Sequence, residues 1–454
     1  MSENTSSHSK DCKDLNEWLY YLETLHNTEI DLGLSRIGKV AKRLNINFDF
    51  ARVITVAGTN GKGTTCAFLE NALLEESIND QTLSVAVYSS PHIERFNERL
   101  RINKMDVDDQ HFIAAFEKIE LARADISLSY YEFTTLASFI ILMAVKPDII
   151  ILEVGLGGRL DATNIIDADI AVVTTIDLDH QAFLGNDRET IGFEKAGIFR
   201  ANQDIVIGDK QAPNSVIKHA EQINISTSGT LSEEAKNKIK VREQDFTLTD
   251  QEKENSALWQ WRYTRPTGET VCLENLVTTA IPQDNVVTAL MVLTQLEVPL
   301  TTEKVNALID KTKVAGRTEL FMNHSIGGCD VMLDVGHNPH AGRYLAKKLM
   351  QLKQQNNYQR ITAVVSMLSD KDISNTLKSF HQVIDDWYIA ELEVPRAASV
   401  KVMFEELTDF SDSINCFDNI TQAFKIANKN TESTDLILVF GSFHTVAQIR
   451  RLLI

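Results

Sequence analysis

The sequence predicts an α/β protein: a doubly wound, mostly parallel sheet with a phosphate-binding loop, followed by a smaller C-terminal α/β domain. Short apolar runs typical of buried parallel strands alternate with stretches in which apolar residues recur at helical spacing. A glycine-rich turn with a single lysine follows one of the first runs, Val53–Ala57. Polar residues follow several other runs where each strand would end, which is the edge at which open α/β sheets bind ligands.

Each predicted element rests on one of these patterns. The predicted strands are short apolar runs, in chain order Val53–Ala57, Ser84–Tyr88, Ile149–Val154, Ile170–Ile176, Ile205–Ile207, Val331–Val335, Ile361–Ser366, Trp387–Leu392 and Leu436–Phe440. Predicted helices include Thr64–Glu76, Gln110–Ala124 and Phe133–Val145. The pattern predicts a loose polar tail at 1–14, a first domain at 15–314 with a small antiparallel appendage around 226–276, and a C-terminal domain at 315–454, with the hinge near Lys313–Thr318.

Composition limits the class of protein. The net charge of −18 argues against a general nucleic-acid binder, which gains its affinity by neutralising phosphates. The five cysteines are odd in number, dispersed and without a CxxC pair, so we expect reduced thiols in a cytoplasmic protein and neither a disulfide framework nor a zinc site. The apolar runs are far shorter than the roughly 20 residues of a membrane span, and the polar N-terminus lacks the apolar core of a signal peptide.

The stretch Val53–Thr65, VITVAGTNGKGTT, predicts a phosphate site. Glycines let successive backbone amides approach an anion, and the following helix N-terminus adds partial positive charge. Lys62 would reach the β/γ-phosphates, and the hydroxyl of Thr64 or Thr65 could meet a magnesium ion. The strict phosphate-loop pattern is not met, because Val56 stands where its first glycine belongs and Gly63 follows the lysine. The alternative is a glycine-rich turn without ligand.

Carboxylates follow two other predicted strands. Glu153 ends a buried run, where a carboxylate is costly unless it is paired or bound to a cation. It is therefore either a magnesium ligand or the ion-pair partner of Arg159. Asp177, Asp179 and His180 follow the next run and favour metal or phosphate binding, although a lone histidine is more often structural.

Further polar groups are expected at the same edge or facing it. Ser89 and Ser90 follow the strand Ser84–Tyr88 but also make an ordinary turn with Pro91. Lys195, in RETIGFEKAGIF, reads from residues alone as the salt-bridge partner of Glu189 or Glu194. In the second domain, polar residues follow the strands at 334–340 and 441–444, and both tips could face the first domain across a cleft.

The ordered series GTNGKG, YSSPH, ILEVGLGGRLDATN, DHxxxLG, EKAGIF and DVGHNPH resembles the Mur ligase superfamily. Within it the chain is most similar to the bifunctional dihydrofolate synthase/folylpolyglutamate synthase family, and the likeness spans nearly the whole sequence, from IDLGLSRI at Ile30–Ile37 to GSFHTVA at Gly441–Ala447. The resemblance implies an ATP-dependent amide ligase. A carboxylate of dihydropteroate or of a folate attacks the γ-phosphate of ATP, and the amine of L-glutamate displaces phosphate from the acyl phosphate. The partners implied are these small molecules, with a monomeric protein and neither nucleic acid nor membrane.

Site residues follow from the resemblance by position. The ATP phosphates would be held by Thr59, Asn60, Gly61, Lys62, Gly63 and Thr64. Two magnesium ions are expected, with Ser90, Glu153, His180 and a carbamylated Lys195 as ligands, which reverses the salt-bridge interpretation of that lysine. Asn285, Arg317 and Asp334 would hold the nucleotide from the linker and C-terminal side. His337 and Ser442 would lie near glutamate and the acyl phosphate, and Lys62, Lys195, Asp334 and His337 form the implied catalytic set.

The acceptor site is implied by two further segments. Ser129, Tyr130, Tyr131 and Glu132, with Leu160, Asp161 and Ala162, resemble the pterin-binding segments of bifunctional members. The two tyrosines suit stacking on a flat heterocycle, and the alternative for either ring is core packing at the start of a helix.

The sequence departs from the family pattern in two places, and three alternative functions remain open. Gly336 stands where members commonly have alanine, and residues 226–276 match poorly. The alternatives are a ligase restricted to polyglutamylation, another Mur-type amino-acid ligase, and a nucleotide-gated binding protein that ligates nothing.

Overall fold

The structure, a computed structural model, describes residues 12–28, 30–78, 81–225, 231–253, 256–278, 281–322 and 328–454. The predicted tail at 1–14 falls mostly on residues 1–11, and parts of the predicted appendage fall on 226–230 and 254–255; these lie outside the described residues. Among the helices of the described residues, none combines the length and the apolar character needed to cross a bilayer.

The described chain alternates strands and helices along its length. The strands are β1 Arg52–Ala57, β2 Ser77–Ile78, β3 Gln81–Thr82, β4 Val85–Tyr88, β5 Leu100–Ile102, β6 Met105–Asp106, β7 Ile149–Glu153, β8 Ile170–Val173, β9 Asp204–Ile207, β10 Ile239–Val241, β11 Phe246–Lys253, β12 Ser256–Thr264, β13 Thr270–Val277, β14 Glu319–Phe321, β15 Asp330–Asp334, β16 Ile361–Val365, β17 Asp386–Ala390, β18 Ile414–Phe417 and β19 Leu436–Phe440. The α-helices are α1 Leu15–Thr24, α2 Ser35–Arg43, α3 Lys62–Leu73, α4 Asp109–Arg123, α5 Tyr130–Val145, α6 Gln181–Leu184, α7 Arg188–Ala196, α8 Asn214–Gln222, α9 Glu233–Lys238, α10 Gln283–Gln295, α11 Thr302–Lys311, α12 Pro339–Gln355, α13 Ile373–Lys378, α14 Val400–Thr408, α15 Ile420–Asn430 and α16 Phe443–Leu453.

These elements form two compact units. Unit 1 contains the described residues of Met1–Ile176, Glu189–Thr278 and Gln283–Lys311. Unit 2 contains those of Asp177–Arg188, Thr279–Pro282 and Thr312–Ile454. The segment Asp177–Arg188 therefore groups with the C-terminal elements, although it lies within 15–314 in the chain.

Unit 1 is built on an eight-stranded sheet with the strand order β10-β9-β8-β1-β7-β4-β5-β6. β1 pairs in parallel with β7 and β8, and β4 pairs in parallel with β7, while β5 and β6 run antiparallel. The central strands are runs of buried, mostly β-branched residues, as is typical of parallel strands covered on both faces. The carboxyl ends of β1, β4, β7 and β8 therefore lie at one edge of the sheet, and the predicted parallel strands are confirmed.

Helices cover both faces of this sheet. Alternate strand residues, Val53, Ala86, Tyr88, Ile150 and Leu152, share one core with α1, α2, α4 and α5. Helix α3 contacts β1, β4, β7 and α10, and neither α3 nor α10 contributes to that core among the described residues, which places them on the opposite face. A three-stranded antiparallel sheet, β11-β12-β13, is attached to the same unit.

Unit 2 is built on a six-stranded sheet with the order β14-β15-β19-β16-β17-β18, in which only β14 runs antiparallel. One face packs on α12, α13 and α14 through residues such as Leu345, Leu377 and Met403. The four predicted strands of this region are confirmed to within two residues at their ends. The two edge strands, β14 and β18, were not predicted from the sequence, because they are only three and four residues long.

Candidate active site

The turn between β1 and α3 has the backbone of an anion-binding loop. Gly61 is the N-cap of α3 and has φ +88°, a left-handed conformation that favours glycine. A Cβ atom on Gly61 would collide with the side-chain oxygen of Asn285, and one on Gly58 would collide with the Thr174 hydroxyl. Both glycines therefore allow close approach, and the predicted nucleotide residue Asn285, 5% exposed, lies against the loop.

Two threonines hold this loop. The sequence predicts a strand through Ile176, but β8 ends at Val173. The amide of Thr174 still donates to the carbonyl oxygen of Ala57 in β1, at 2.9 Å, whereas its side chain and Thr175 bond to the loop. Thr174 Oγ1 donates to the carbonyl oxygen of Asn60 at 2.6 Å, and the amide of Thr59 donates to the carbonyl oxygen of Thr175 at 2.6 Å. The amide of Asn60 donates to Thr175 Oγ1 at 3.3 Å. The sequence signal for this contact is the pair of threonines at the end of the apolar run, TT in VVTTID.

The start of α3 supplies donors. The first amides of a helix have no intrahelical acceptors, and here the N-cap is a glycine with no side chain to bond them. Lys62 Nζ folds over the loop and donates to the carbonyl oxygens of Gly58 at 2.9 Å and Thr59 at 3.4 Å. An ammonium group and a helix N-terminus at the same turn favour a phosphate.

Glu153 is the carboxylate beside this loop. It ends β7, is 5% exposed, and its Oε1 would lie 3.6 Å from a Cβ built on Gly63. The alternative partner proposed from the sequence, Arg159, instead makes a bidentate ion pair with Glu194, from Nη2 to Oε1 at 2.9 Å and from Nε to Oε2 at 3.2 Å. Glu194, one of the two carboxylates that the sequence offers as a salt-bridge partner of Lys195, is therefore paired with Arg159.

The donor set beside the loop fits a magnesium ion. Thr65 Oγ1 is buried and has no hydrogen-bond partner among the described residues, and the Glu153 carboxylate at the end of β7 offers a further oxygen donor near the start of α3. Oxygen donors of this kind, completed by phosphate oxygens and water, are what Mg²⁺ prefers. No cluster of three or more His, Cys, Asp or Glu side chains with metal-site geometry occurs in the described part of the chain.

The other predicted metal ligands lie as follows. Ser90, Glu153 and Lys195 belong to unit 1, whereas His180 belongs to unit 2. Lys195 is 4% exposed in the last turn of α7. Ser90 follows β4 and hydrogen-bonds the phenol of Tyr131.

The predicted acceptor segments come together around Tyr131. Burial raises the pKa of this phenol well above its ordinary value, and its ring packs so closely on Gly155 that a Cβ there would lie 2.7 Å away. Its hydroxyl donates to Asp161 at 3.4 Å. Asp161, whose pKa burial raises, also accepts from the amides of Leu156 at 2.9 Å and Thr163 at 3.0 Å, which fixes the loop carrying Leu160 and Ala162.

Three neighbouring residues of this set have clear structural contacts. Ser129 and Glu132 form a capping box at the start of α5, and Glu132 also pairs with Arg36 at 3.3 Å. The ring of Tyr130 lies under the Arg99 guanidinium, 5.5 Å from its centroid, in a cation–π contact.

In unit 2, Asp334 organises the loop after β15. It is 6% exposed, and its two carboxylate oxygens accept from the amides of Thr318 at 2.8 Å and Gly336 at 2.7 Å. Burial raises its pKa. A Cβ on Gly336 would lie 2.9 Å from Asp334 Oδ1 and 3.0 Å from Ala341, so alanine at this position requires the carboxylate to shift.

The other predicted unit 2 residues lie around Phe443. The Arg317 guanidinium is 5.3 Å from the centroid of its ring, and the His337 ring is 6.5 Å from it. Ser442 is the N-cap of α16, and its Oγ accepts from the amide of Thr445 at 3.0 Å. His337 Nδ1 donates to the carbonyl oxygen of Val335 at 2.8 Å, so the proton is assigned to Nδ1 because a carbonyl only accepts.

Asp179 is the centre of a charged cluster that the sequence did not predict as such. It accepts from Lys371 Nζ at 2.8 Å and from Asn338 Nδ2 at 3.0 Å, and it lies 3.5 Å from His337 Nε2. Lys371 Nζ also lies 3.4 Å from His180 Nε2. Burial alone would raise the pKa of Asp179, but the neighbouring cations hold it well below its ordinary value. Lys371 is the residue of this cluster that the sequence did not indicate, whereas Asn338 belongs to the polar stretch 334–340 that it did.

Replacing Asp179 by Asn is expected to lower the free energy of unfolding by about 2 kcal/mol at pH 7, because Lys371, with its side chain 5% exposed, then faces a neutral amide. The native pKa lies below the unfolded value of about 3.9, so this contribution is complete above that pH and is lost as the pH falls through the native pKa. Urea unfolding with a chelator at pH 7 and below pH 4 measures it. A difference between the two proteins that grows on acidification would contradict the assignment.

Replacing Gly61 by Ala is expected to weaken ATP binding about tenfold, because the Asn285 side chain must move away from the loop. The left-handed backbone adds a separate cost of about 1–2 kcal/mol in stability. Gly268 is the matched control, with φ +85° and nothing within 4 Å of its Cβ position in the described chain. Gly268→Ala has the same backbone cost and should reduce stability without changing nucleotide affinity. Equal effects of the two substitutions on ATP titration would argue against the contact.

Two family models match the sequence. The Mur ligase middle domain matches residues 56–265, and the glutamate ligase domain of Mur ligases matches residues 316–443. The dihydrofolate synthase/folylpolyglutamate synthase of Escherichia coli strain K12 is 40% identical over 435 residues, which cover 96% of this chain and 94% of that protein.

Solved structures match over the full length. E. coli FolC in complex with DHPP and ADP has a TM-score of 0.84 and 38% identity, covering 99% of both chains. A bifunctional folylpolyglutamate synthase/dihydrofolate synthase with Mn, AMPPNP and L-glutamate bound has a TM-score of 0.83 and 38% identity, covering all of both chains. These matches confirm the predicted fold class. The chain is thus a Mur-type ligase and belongs to the family of bifunctional dihydrofolate synthase/folylpolyglutamate synthases.

Proposed function

We propose that this chain adds L-glutamate to dihydropteroate, giving dihydrofolate, and to the γ-carboxyl group of folates, at the expense of ATP. The observation that carries the proposal is the loop at Gly58–Thr64 with Lys62 folded over it and Glu153 beside it, in a chain whose relatives bear both synthase names. The solved relatives bind DHPP and ADP, or AMPPNP, Mn and L-glutamate, which are the substrate classes this reaction needs.

The chemistry proceeds in two displacements. A carboxylate oxygen of the acceptor attacks the γ-phosphorus of ATP, the bond to the β-phosphate oxygen breaks, and ADP leaves. The amine nitrogen of glutamate then attacks the acyl carbon, loses a proton, and expels phosphate as the C–O bond breaks. Neither step needs a protein nucleophile, so the protein's task is to neutralise phosphate charge and to align the groups.

The residues of unit 1 suit that task. Lys62 and the first amides of α3 stabilise negative charge on the β- and γ-phosphates, and Asn285 bounds the nucleotide side of the loop. Magnesium, when bound, would supply further neutralisation of the phosphates. We propose Glu153, Ser90 and Lys195 as its protein-side ligands, with Lys195 carbamylated so that a buried cation becomes an anionic ligand. Tyr131 and Asp161 are proposed to contact the pterin.

Several assignments remain predictions from the resemblance. They are the magnesium ligand His180, the nucleotide contacts Arg317 and Asp334, and the glutamate and acyl-phosphate contacts His337 and Ser442. A monomeric state is proposed on the same ground, and a cytoplasmic location is proposed from the dispersed cysteines. Intact-mass measurement without acid tests the carbamate on Lys195 as an added carbon dioxide that is lost on acidification.

ADP release tests the function. The purified protein with ATP and magnesium should form ADP only when both L-glutamate and an acceptor, dihydropteroate or tetrahydrofolate, are present. Mass spectrometry of the dihydropteroate reaction should show one added glutamate. Glutamate addition to folates alone would reduce the function to polyglutamylation, and ADP formation indifferent to both organic substrates would favour a nucleotide-gated binding protein.

A further inference from the structure

The three-stranded sheet β11–β13 has no role in the site described above, yet it is joined to the helix that carries Asn285. Its strands pair antiparallel, and Trp259 and Trp261 of the middle strand are completely buried. The sheet follows β10 of the main sheet through a tight turn, in which the amide of Asp245 donates to the carbonyl oxygen of Val241 at 2.9 Å. It therefore forms a well-packed extension of unit 1.

Arg242, in that turn, makes the connection to α10. Its side chain is completely buried, and its Nη2 donates to Asp284 Oδ1 at 3.1 Å while its Nε donates to Glu243 at 2.9 Å. Its Nη1 has no hydrogen-bond partner within the described residues. A buried guanidinium with an unsatisfied nitrogen is costly, so its presence indicates a role that an apolar residue would not fulfil.

Asp284 lies in the first turn of α10, directly before Asn285. Asn285 lies against Gly61 of the phosphate loop, and Thr288, one turn later, lies against Gly208 at the end of β9. Asp284 Oδ1 also pairs with the half-exposed Lys210 at 3.3 Å, but Arg242 is the buried partner. The ion pair with Arg242 therefore holds the start of α10 at the point where the helix meets the loop. A shift of this turn moves the Asn285 side chain directly.

The far edge of the small sheet is joined to the next helix and, through it, to α3. The amide of Val277 in β13 donates to Asn306 of α11 at 2.9 Å. Lys311 of α11 pairs with Glu75 at 2.6 Å, and Lys304 pairs with Glu76, both just after α3. The helix that begins at Lys62 is thus supported at its end by elements that pack on β13.

We propose that β11–β13 supports the nucleotide loop and that Arg242 is a positioning residue, which holds Asn285 against Gly61 through Asp284. This inference rests on the proposed function, because it requires Asn285 to bound the nucleotide. It assigns a role to a region that the sequence left without one.

Arg242→Met tests the proposal with a side chain of similar length. The KM for ATP should rise about tenfold, while kcat and the KM values for glutamate and acceptor stay unchanged, since only nucleotide placement is disturbed. Arg242→Lys should give an intermediate effect, because it keeps the charge but not the two-pronged geometry. Glu243→Gln is the control: Glu243 contacts the same guanidinium from the exposed side, and ATP affinity should not change. A purely structural role would lower the melting temperature and leave the KM for ATP unaltered.

A double-mutant cycle with Asn285→Ala separates this inference from the function. If Arg242 acts through Asn285, Arg242→Met should add nothing to the KM for ATP in the Asn285→Ala background. If the two substitutions instead raise the KM for ATP by independent factors that multiply in the double mutant, the positioning role is overturned. It is also overturned if Arg242→Met leaves ATP affinity normal while Asn285→Ala impairs it. In both cases the assignment of the nucleotide site stands. Normal ATP affinity in Asn285→Ala would overturn both the assignment of Asn285 and the inference. Ligase activity with both acceptors remains the separate test of the function.

Discussion

Lys62→Ala is expected to lower kcat/KM for ATP by about 100-fold. A charge-assisted hydrogen bond to phosphate contributes about 1.5–3 kcal/mol, and every 1.36 kcal/mol corresponds to a factor of ten. Lys62 Nζ lies over the loop, 2.9 Å from the carbonyl oxygen of Gly58, so it is already positioned at the proposed phosphate site. ATP titration and ADP-release kinetics measure the loss, which should appear in both nucleotide affinity and turnover.

Two substitutions control this experiment. Lys62→Arg keeps the charge and should retain part of the activity. Lys401 is the matched surface lysine, with 82% of its side chain exposed and its charge 3.8 Å from Glu405, and Lys401→Ala should leave the kinetics unchanged. Unchanged affinity and turnover in Lys62→Ala would mean that the phosphates bind elsewhere.

The fold was predictable because its signals are local. Runs such as Ile149–Glu153 are continuous, β-branched and buried, and their type follows from a few adjacent residues. The end of β8 was not predictable in this way: the side chain of Thr174 and the backbone of Thr175 bond to Asn60 and Thr59, which lie more than a hundred residues earlier in the chain. A tertiary contact decides that boundary, and periodicity carries no information about it.

The same distinction between local and long-range contacts applies to the candidate site. The loop with Lys62 was predictable because glycine, lysine and helix start are neighbours in sequence. The Asp179 cluster was not, since Asn338 and Lys371 reach it across 159 and 192 residues. The sequence likewise could not predict that Arg159 pairs with Glu194 rather than with Glu153, because this depends on how the two segments pack. The roles taken from the resemblance stay predictions until variants test them.

Glu153→Gln is expected to reduce kcat by about 100- to 1,000-fold at low magnesium and to raise the magnesium concentration needed for half-maximal activity. The substitution keeps the shape and removes the charge of a side chain that is 5% exposed beside Gly63. A carboxylate ligand supplies much of the affinity for a hard cation, and an amide oxygen supplies much less.

Thermal unfolding gives a readout that does not depend on turnover. A ligand that binds only the native state raises the free energy of unfolding by RT ln(1 + [L]/Kd), so magnesium with ADP should raise the melting temperature of the wild type more than ADP alone. Glu153→Gln should lose that additional increment and keep the response to ADP. Glu70→Gln is the matched control, because Glu70 is 4% exposed in the helix that starts at the loop but pairs with Arg101 at 3.1 Å. If the Glu153 variant keeps the magnesium-dependent increment while the Glu70 variant loses it, the metal-binding carboxylate is on α3 and not at the end of β7.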